Sequence, residues 1–176
     1  MTTAHLASKT PDLGPMPVWD LSDLYSAPDA PELTQDLARA ERSAQAIKEQ
    51  CQGKLAEIAK DGDKLGTVIK SYEDLSDLMG KLASYAGLYY YANQADPDRA
   101  KFYGDTNEAL TRIGTDLIFF ELELNQIDEA VLAAAVKAPK LAKYAPWLDD
   151  LRREKPYQLE ERLERLFTEK GQTSRG

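Results

Sequence analysis

Apolar and small side chains in this 176-residue chain return every third or fourth position over long stretches, and no stretch alternates apolar with polar for more than a few residues. The first such run is Leu33, Leu37, Ala40, Ala44, Ile47, Cys51, Leu55 and Ile58, and the second is Leu65, Ile69, Tyr72, Leu75, Met79, Leu82, Ala86 and Tyr89. The third is Tyr103, Thr106, Leu110, Ile113, Leu117, Phe120 and Leu124. Steps of three and four keep side chains on one face of a helix, whereas a half-buried strand needs period two. The expected fold is therefore all-α: long antiparallel helices forming a bundle or hairpin domain.

Proline, glycine and aspartate divide the chain. Pro11, Pro15, Pro17, Pro28 and Pro31, with Gly14, make residues 1–29 an extended leader, within which Trp19, Leu21, Leu24 and Tyr25 form a cluster over 19–25 expected to dock on the main body. Asp29 ahead of Pro31 reads as the cap of the first helix, and Gly53 as a bend that does not end it. Asp61, Gly62 and Asp63 supply a turn into a second helix of about 30 residues. Asp96 and Pro97 end that helix and open a third running through Leu124, so the two must lie antiparallel. Asp77 with Lys81 and Glu108 with Arg112 are expected to pair along the outer helix faces. Asp128 caps a short helix, Pro139, Pro146 and Pro156 cut the region beyond, and a last helix carries Leu159, Leu163, Leu166 and Phe167. The helical domain is placed at 30–170. Residues 171–176 read as linker toward a further domain, since Thr173 and Ser174 look like caps for a helix not present.

Twenty-two basic against thirty acidic residues give a net charge of −8, which argues against nucleic acid or anionic lipid as a partner. No run of 18 apolar residues suggests a membrane span, and the lone Cys51 offers no internal disulfide, so a reducing cytoplasm is the expected compartment. The only histidine, His5, stands in the polar leader, so the chain lacks the Glu-x-x-His pairs of a di-metal carboxylate bundle. Cys51 lies on an apolar stripe without a neighbouring base and reads as core rather than nucleophile. Glu121 and the pair Asp74 and Asp77 read as solvated carboxylates, and Arg152, Arg153 and Lys155, hemmed by Asp149, Asp150 and Glu154, as a solvated basic face. Tyr89, Tyr90 and Tyr91 span most of a helix circumference, so at least one ring must leave the core and could line a cleft. These three are the candidate substrate-binding residues. No catalytic or metal residue is assigned, because no phosphate loop, nucleophile elbow or zinc spacing occurs.

The order of four segments resembles a known family. Trp19-Asp20-Leu21-Ser22-Asp23-Leu24-Tyr25, then Asn93-Gln94-Ala95-Asp96-Pro97 after the tyrosine run, then Phe119-Phe120-Glu121-Leu122-Glu123-Leu124, and Leu151-Arg152-Arg153-Glu154-Lys155-Pro156-Tyr157-Gln158-Leu159 with Glu164 beyond, are together similar to the N-terminal region of oligoendopeptidase F. That family of zinc metallopeptidases is related to thimet oligopeptidase. The resemblance implies a clam-like helical enzyme whose N-terminal helices wall a channel admitting short peptides. Zinc would sit in a C-terminal catalytic domain on a His-Glu-x-x-His helix, absent from this sequence, so the chain alone is expected to be inactive. A free-standing helical module that binds a partner protein or peptide is the alternative. A reading frame that continues past Gly176 into a zinc-binding helix would favour the peptidase.

Overall fold

A computed structural model describes residue 14 and residues 18–173, and the rest of the predicted leader, His5 included, lies outside them. Every regular element among the described residues is helical. The first helix, α1 (Pro31–Cys51), opens with proline in its first turn, where the missing N–H costs nothing. Its cap position is Ala30, with no side-chain cap, so the expected role of Asp29 is not taken up. Gly53 ends the helix rather than bending it: its φ of +74° is a left-handed conformation that glycine adopts without Cβ strain. A short α2 (Leu55–Ile58) follows.

Asp61 caps α3 (Gly62–Tyr91), accepting hydrogen bonds from the N–H groups of Asp63 and Lys64 at 3.1 Å each. Asp96 does the same for α4 (Pro97–Thr115). The two helices form the expected antiparallel hairpin. Tyr90 stacks on Tyr103 near the turn, while at the far end Met79 lies beside Gly114. The third apolar run is not one helix. It breaks at Asp116 and Leu117, and α5 (Ile118–Gln126) follows with Phe119, Phe120 and Leu124 buried. The periodic spacing continues across the break, since Leu117, Phe120 and Leu124 are all buried.

Asp128 caps α6 (Glu129–Ala135), after which come α7 (Pro139–Ala142), α8 (Ala145–Glu154), a single 3-10 turn at Lys155–Tyr157, and α9 (Glu161–Thr173). Pro146 sits in the first turn of α8 and does not break it. The core gathers the inner faces of α1, α3, α5 and α8 around Leu55, Leu65, Ile69, Leu75, Leu82 and Leu141. Of the 19–25 cluster, Tyr25 is buried and Leu21 and Leu24 pack against the core, but Trp19 is 58% exposed.

The outer-face pairs expected within helices give way to pairs between them. Lys81 reaches Asp36 on α1 at 3.6 Å instead of Asp77, and Arg112 reaches Glu41 on α1 instead of Glu108. Packing α1 across the hairpin brings these carboxylates within reach of both cations.

Candidate functional site

Two regions expose groups suited to contacting a ligand, and neither assembles a nucleophile with a base. The first is the hairpin end of α3 and α4. Here Tyr89, Tyr90 and Tyr91 fan out around α3, as three consecutive helical positions must. Tyr89 turns to the body: it stacks on Tyr85 at 6.0 Å between ring centres and meets Phe102 edge-on at 5.7 Å. The Arg99 guanidinium lies 4.3 Å over the Tyr89 ring and donates to the Tyr89 carbonyl oxygen at 2.9 Å. Tyr90 lies flat on Tyr103, 5.0 Å between centres with planes 9° apart. Tyr91 tilts against both and is 53% exposed. The triad thus divides between an interhelical contact and one wet ring.

The second region is a cleft of about 610 Å³ that runs between the α3 to α5 face and the segment from Glu154 to α9. Tyr72, Met79, Leu117 and Glu121 form one wall, and Glu154, Gln158, Glu164 and Thr168 the other. Tyr72 stands on the apolar stripe of α3, its ring stacked on Phe120 at 4.3 Å, and its hydroxyl donates to Glu121 Oε1 at 3.0 Å. Burial first, and then the Glu121 carboxylate, push the Tyr72 phenol well above the usual tyrosine range. Glu121 is therefore not the freely solvated carboxylate expected from its neighbours in sequence. Its position beside Phe120 and Leu124 was the available signal; its partner, 49 residues away, had none.

Other singled-out residues are structural. Cys51 is fully buried, and burial chiefly raises its thiol pKa, which suits packing and opposes nucleophilic use. Arg152 leaves the basic face altogether: its guanidinium donates to the Asn125 carbonyl at 2.6 Å and to the Ile127 carbonyl, closing the C-terminal end of α5. Arg153 stays exposed, paired with Asp150 at 3.1 Å. Glu123, on α5, accepts from the Gly53 N–H at 2.6 Å and the Leu55 N–H at 3.4 Å. Among the described residues no group of three or more His, Cys, Asp or Glu side chains converges as a metal site. The zinc that the family resemblance implies finds no set of ligands among them. No helix among the described residues is long and apolar enough to cross a membrane.

Residues 123–176 match the family model described as oligopeptidase F. No curated protein and no solved structure matches the chain. The Leu151 to Leu159 segment and Glu164 fall inside the matched stretch, whereas the segments beginning at Trp19 and Asn93 fall outside it. With helices throughout the described residues and family sequence across α6 to α9, the chain is identified as resembling the N-terminal region of oligoendopeptidase F.

Proposed function

We propose that this chain is the N-terminal helical domain of an oligoendopeptidase F-like zinc metallopeptidase that hydrolyses short peptides in the cytoplasm. The observation that carries this reading is the family match over residues 123–176 on an all-helical body. In the whole enzyme the helices form one wall of a channel and restrict substrate size, and the exposed Tyr91 with its neighbours Tyr89 and Tyr90 contacts the peptide. Zinc and catalysis belong to the C-terminal catalytic domain, the partner of this one.

The test uses the purified 176-residue chain with quenched fluorescent peptides, with and without added zinc, alongside metal analysis. No cleavage and no stoichiometric zinc are expected. Tightly held zinc together with peptide cleavage would overturn the reading. A free-standing interaction module is favoured by a separate observation, the outward apolar face of α9. Peptide affinity that is indifferent to chelators, in a chain with no catalytic half, would support that reading.

A further inference from the structure

The turn into α3 makes two structural demands whose joint outcome is chemically labile. Asp61 is needed as a cap: its Oδ1 accepts from the Asp63 and Lys64 N–H groups, and its backbone carbonyl accepts from the Leu65 N–H at 3.0 Å. Gly62 is needed for space, because a Cβ there would stand 2.2 Å from the Ala135 carbonyl oxygen at the end of α6. An aspartate followed by a glycine is the result. Of the ten glycines in the chain, only Gly62 follows an aspartate and none follows an asparagine. In a flexible chain this pair cyclises more readily than other aspartyl bonds, since no side chain on the glycine hinders attack by its nitrogen. Ring closure bonds the Gly62 nitrogen to Cγ of the protonated Asp61 carboxyl, and the amide proton leaves with the carboxyl hydroxyl as water. Water then reopens the imide on either side. Breaking the new bond to Cγ returns aspartate, whereas breaking the original bond to the backbone carbonyl leaves isoaspartate, with the chain running through Cβ.

We propose that the bond from Asp61 to Gly62 is a site of isoaspartate formation which the fold holds closed, and which becomes reactive only when the start of α3 comes away from α6. In the folded chain the cap turns the carboxylate past Gly62 and onto the next two N–H groups, 3.1 Å from each. Lys64 Nζ stands 3.4 Å from the second carboxylate oxygen. To cyclise, the carboxyl must leave these partners, and Asp61 must turn from its ψ of 102° to bring Cγ onto the Gly62 nitrogen. Gly62 has little room to follow, pressed as it is against Ala135 and Ala138. The cap bonds, that from the Lys64 N–H first, also hold the Asp61 carboxyl below the usual carboxylate range, so the protonated form that loses water is scarce. Isoaspartate does not fit the same position. Its extra backbone carbon shifts Gly62 and Asp63 relative to residue 61, and the cap bonds and the bond to the Leu65 N–H are lost together. A chain that isomerises while open returns to a weaker fold, so the turn keeps a chemical record of past openings.

The experiment ages the 176-residue chain at neutral pH in native buffer and in urea. Isoaspartate is then located by enzymatic carboxyl methylation and by an endoprotease that cuts before aspartate but not before isoaspartate. Residue 61 is expected to convert in urea, with Asp63 as its unconverted neighbour. In native buffer the conversion is expected to be slower by more than about tenfold, a factor that an opening cost of roughly 1.4 kcal/mol already supplies. Asp61→Ser keeps a capping acceptor and has no carboxyl to cyclise, so this position should stay unmodified in both solutions, with helicity unchanged. Chain aged in urea and returned to buffer should melt below fresh chain, and Asp61→Ser chain treated in the same way should not. Equal rates in buffer and urea overturn the proposal, as does a residue 61 that fails to convert in urea. An unchanged thermal midpoint in chain converted at residue 61 overturns the structural consequence. The comparison of buffer with urea uses the unaltered chain and does not depend on how the Asp61→Ser variant folds.

Discussion

Glu123 stands on α5, yet its carboxylate serves the start of α2, holding the Gly53 and Leu55 N–H groups. The first N–H groups of any helix lack intrahelical partners, and Lys54, at the α2 cap position, supplies no side-chain acceptor. A residue some 70 positions away fills that role. Glu123→Ala is expected to lower stability by about 1–2 kcal/mol, the usual worth of a cap, and Glu123→Gln by less because an acceptor oxygen remains. Urea midpoints for the two variants check the order. The same carboxylate adds to the raised Cys51 thiol, after burial, so the cap and the inert thiol are neighbours in one structural knot.

At the scale of elements, the glycines of α3 separate two causes that sequence cannot tell apart. Gly66 lies where α7 crosses: a Cβ there would stand 2.7 Å from the Lys140 carbonyl carbon and 2.8 Å from the Leu141 nitrogen. Gly80, in the middle of the same helix, has nothing within 4 Å. Alanine gains about 1 kcal/mol over glycine in a helix interior, while forcing atoms into a packed backbone contact costs about 1–3 kcal/mol. Gly80→Ala is therefore expected to raise the thermal midpoint by a few degrees, and Gly66→Ala to lower it. Finding both stabilising would mean that α7 can move off α3. The same crossing explains why α7, a single turn, exists at all: it is held by backbone approach, and by the Lys140 N–H donating to Asp63 at 3.1 Å.

For the molecule as a whole, two phenols tie distant segments together. Tyr25 donates to Asp36 Oδ2 at 2.8 Å, under the Lys81 ammonium at 4.0 Å from its ring, pinning the segment before α1 onto α1 and α3. Tyr72 does the equivalent between α3 and α5. Both hydroxyls are raised above the ordinary tyrosine pKa of 10.0, first by burial and then by the neighbouring carboxylate. A group raised on folding contributes stability that is whole below its unfolded pKa and is lost as pH climbs through the window above it. Stability is thus expected to fall above about pH 10, where the unfolded chain releases these protons and the folded chain does not. Phenolate absorbance followed with circular dichroism should show the exposed tyrosines ionising first and a second group ionising only with loss of helix. Smooth ionisation of all nine tyrosines before any unfolding would contradict this.

Much of this architecture could be read from residue order alone. The all-α class, the span of α3, the Asp96 and Pro97 turn and the antiparallel hairpin follow from spacing and capping, which are local and act wherever the chain happens to lie. The partners of Lys81, Arg112, Arg152 and Glu123 do not, because each depends on which helix lies across from it. Tyr72 and Glu121 illustrate the division: one sits on an apolar stripe and the other beside one, but only packing brings a hydroxyl and a carboxylate to 3.0 Å across 49 residues. The outward turn of the α9 leucines belongs with these. Periodicity established that the helix has an apolar face, and tertiary contacts decided that this face looks away from the body, since hydrophobic burial is scored over the whole surface and not along one helix.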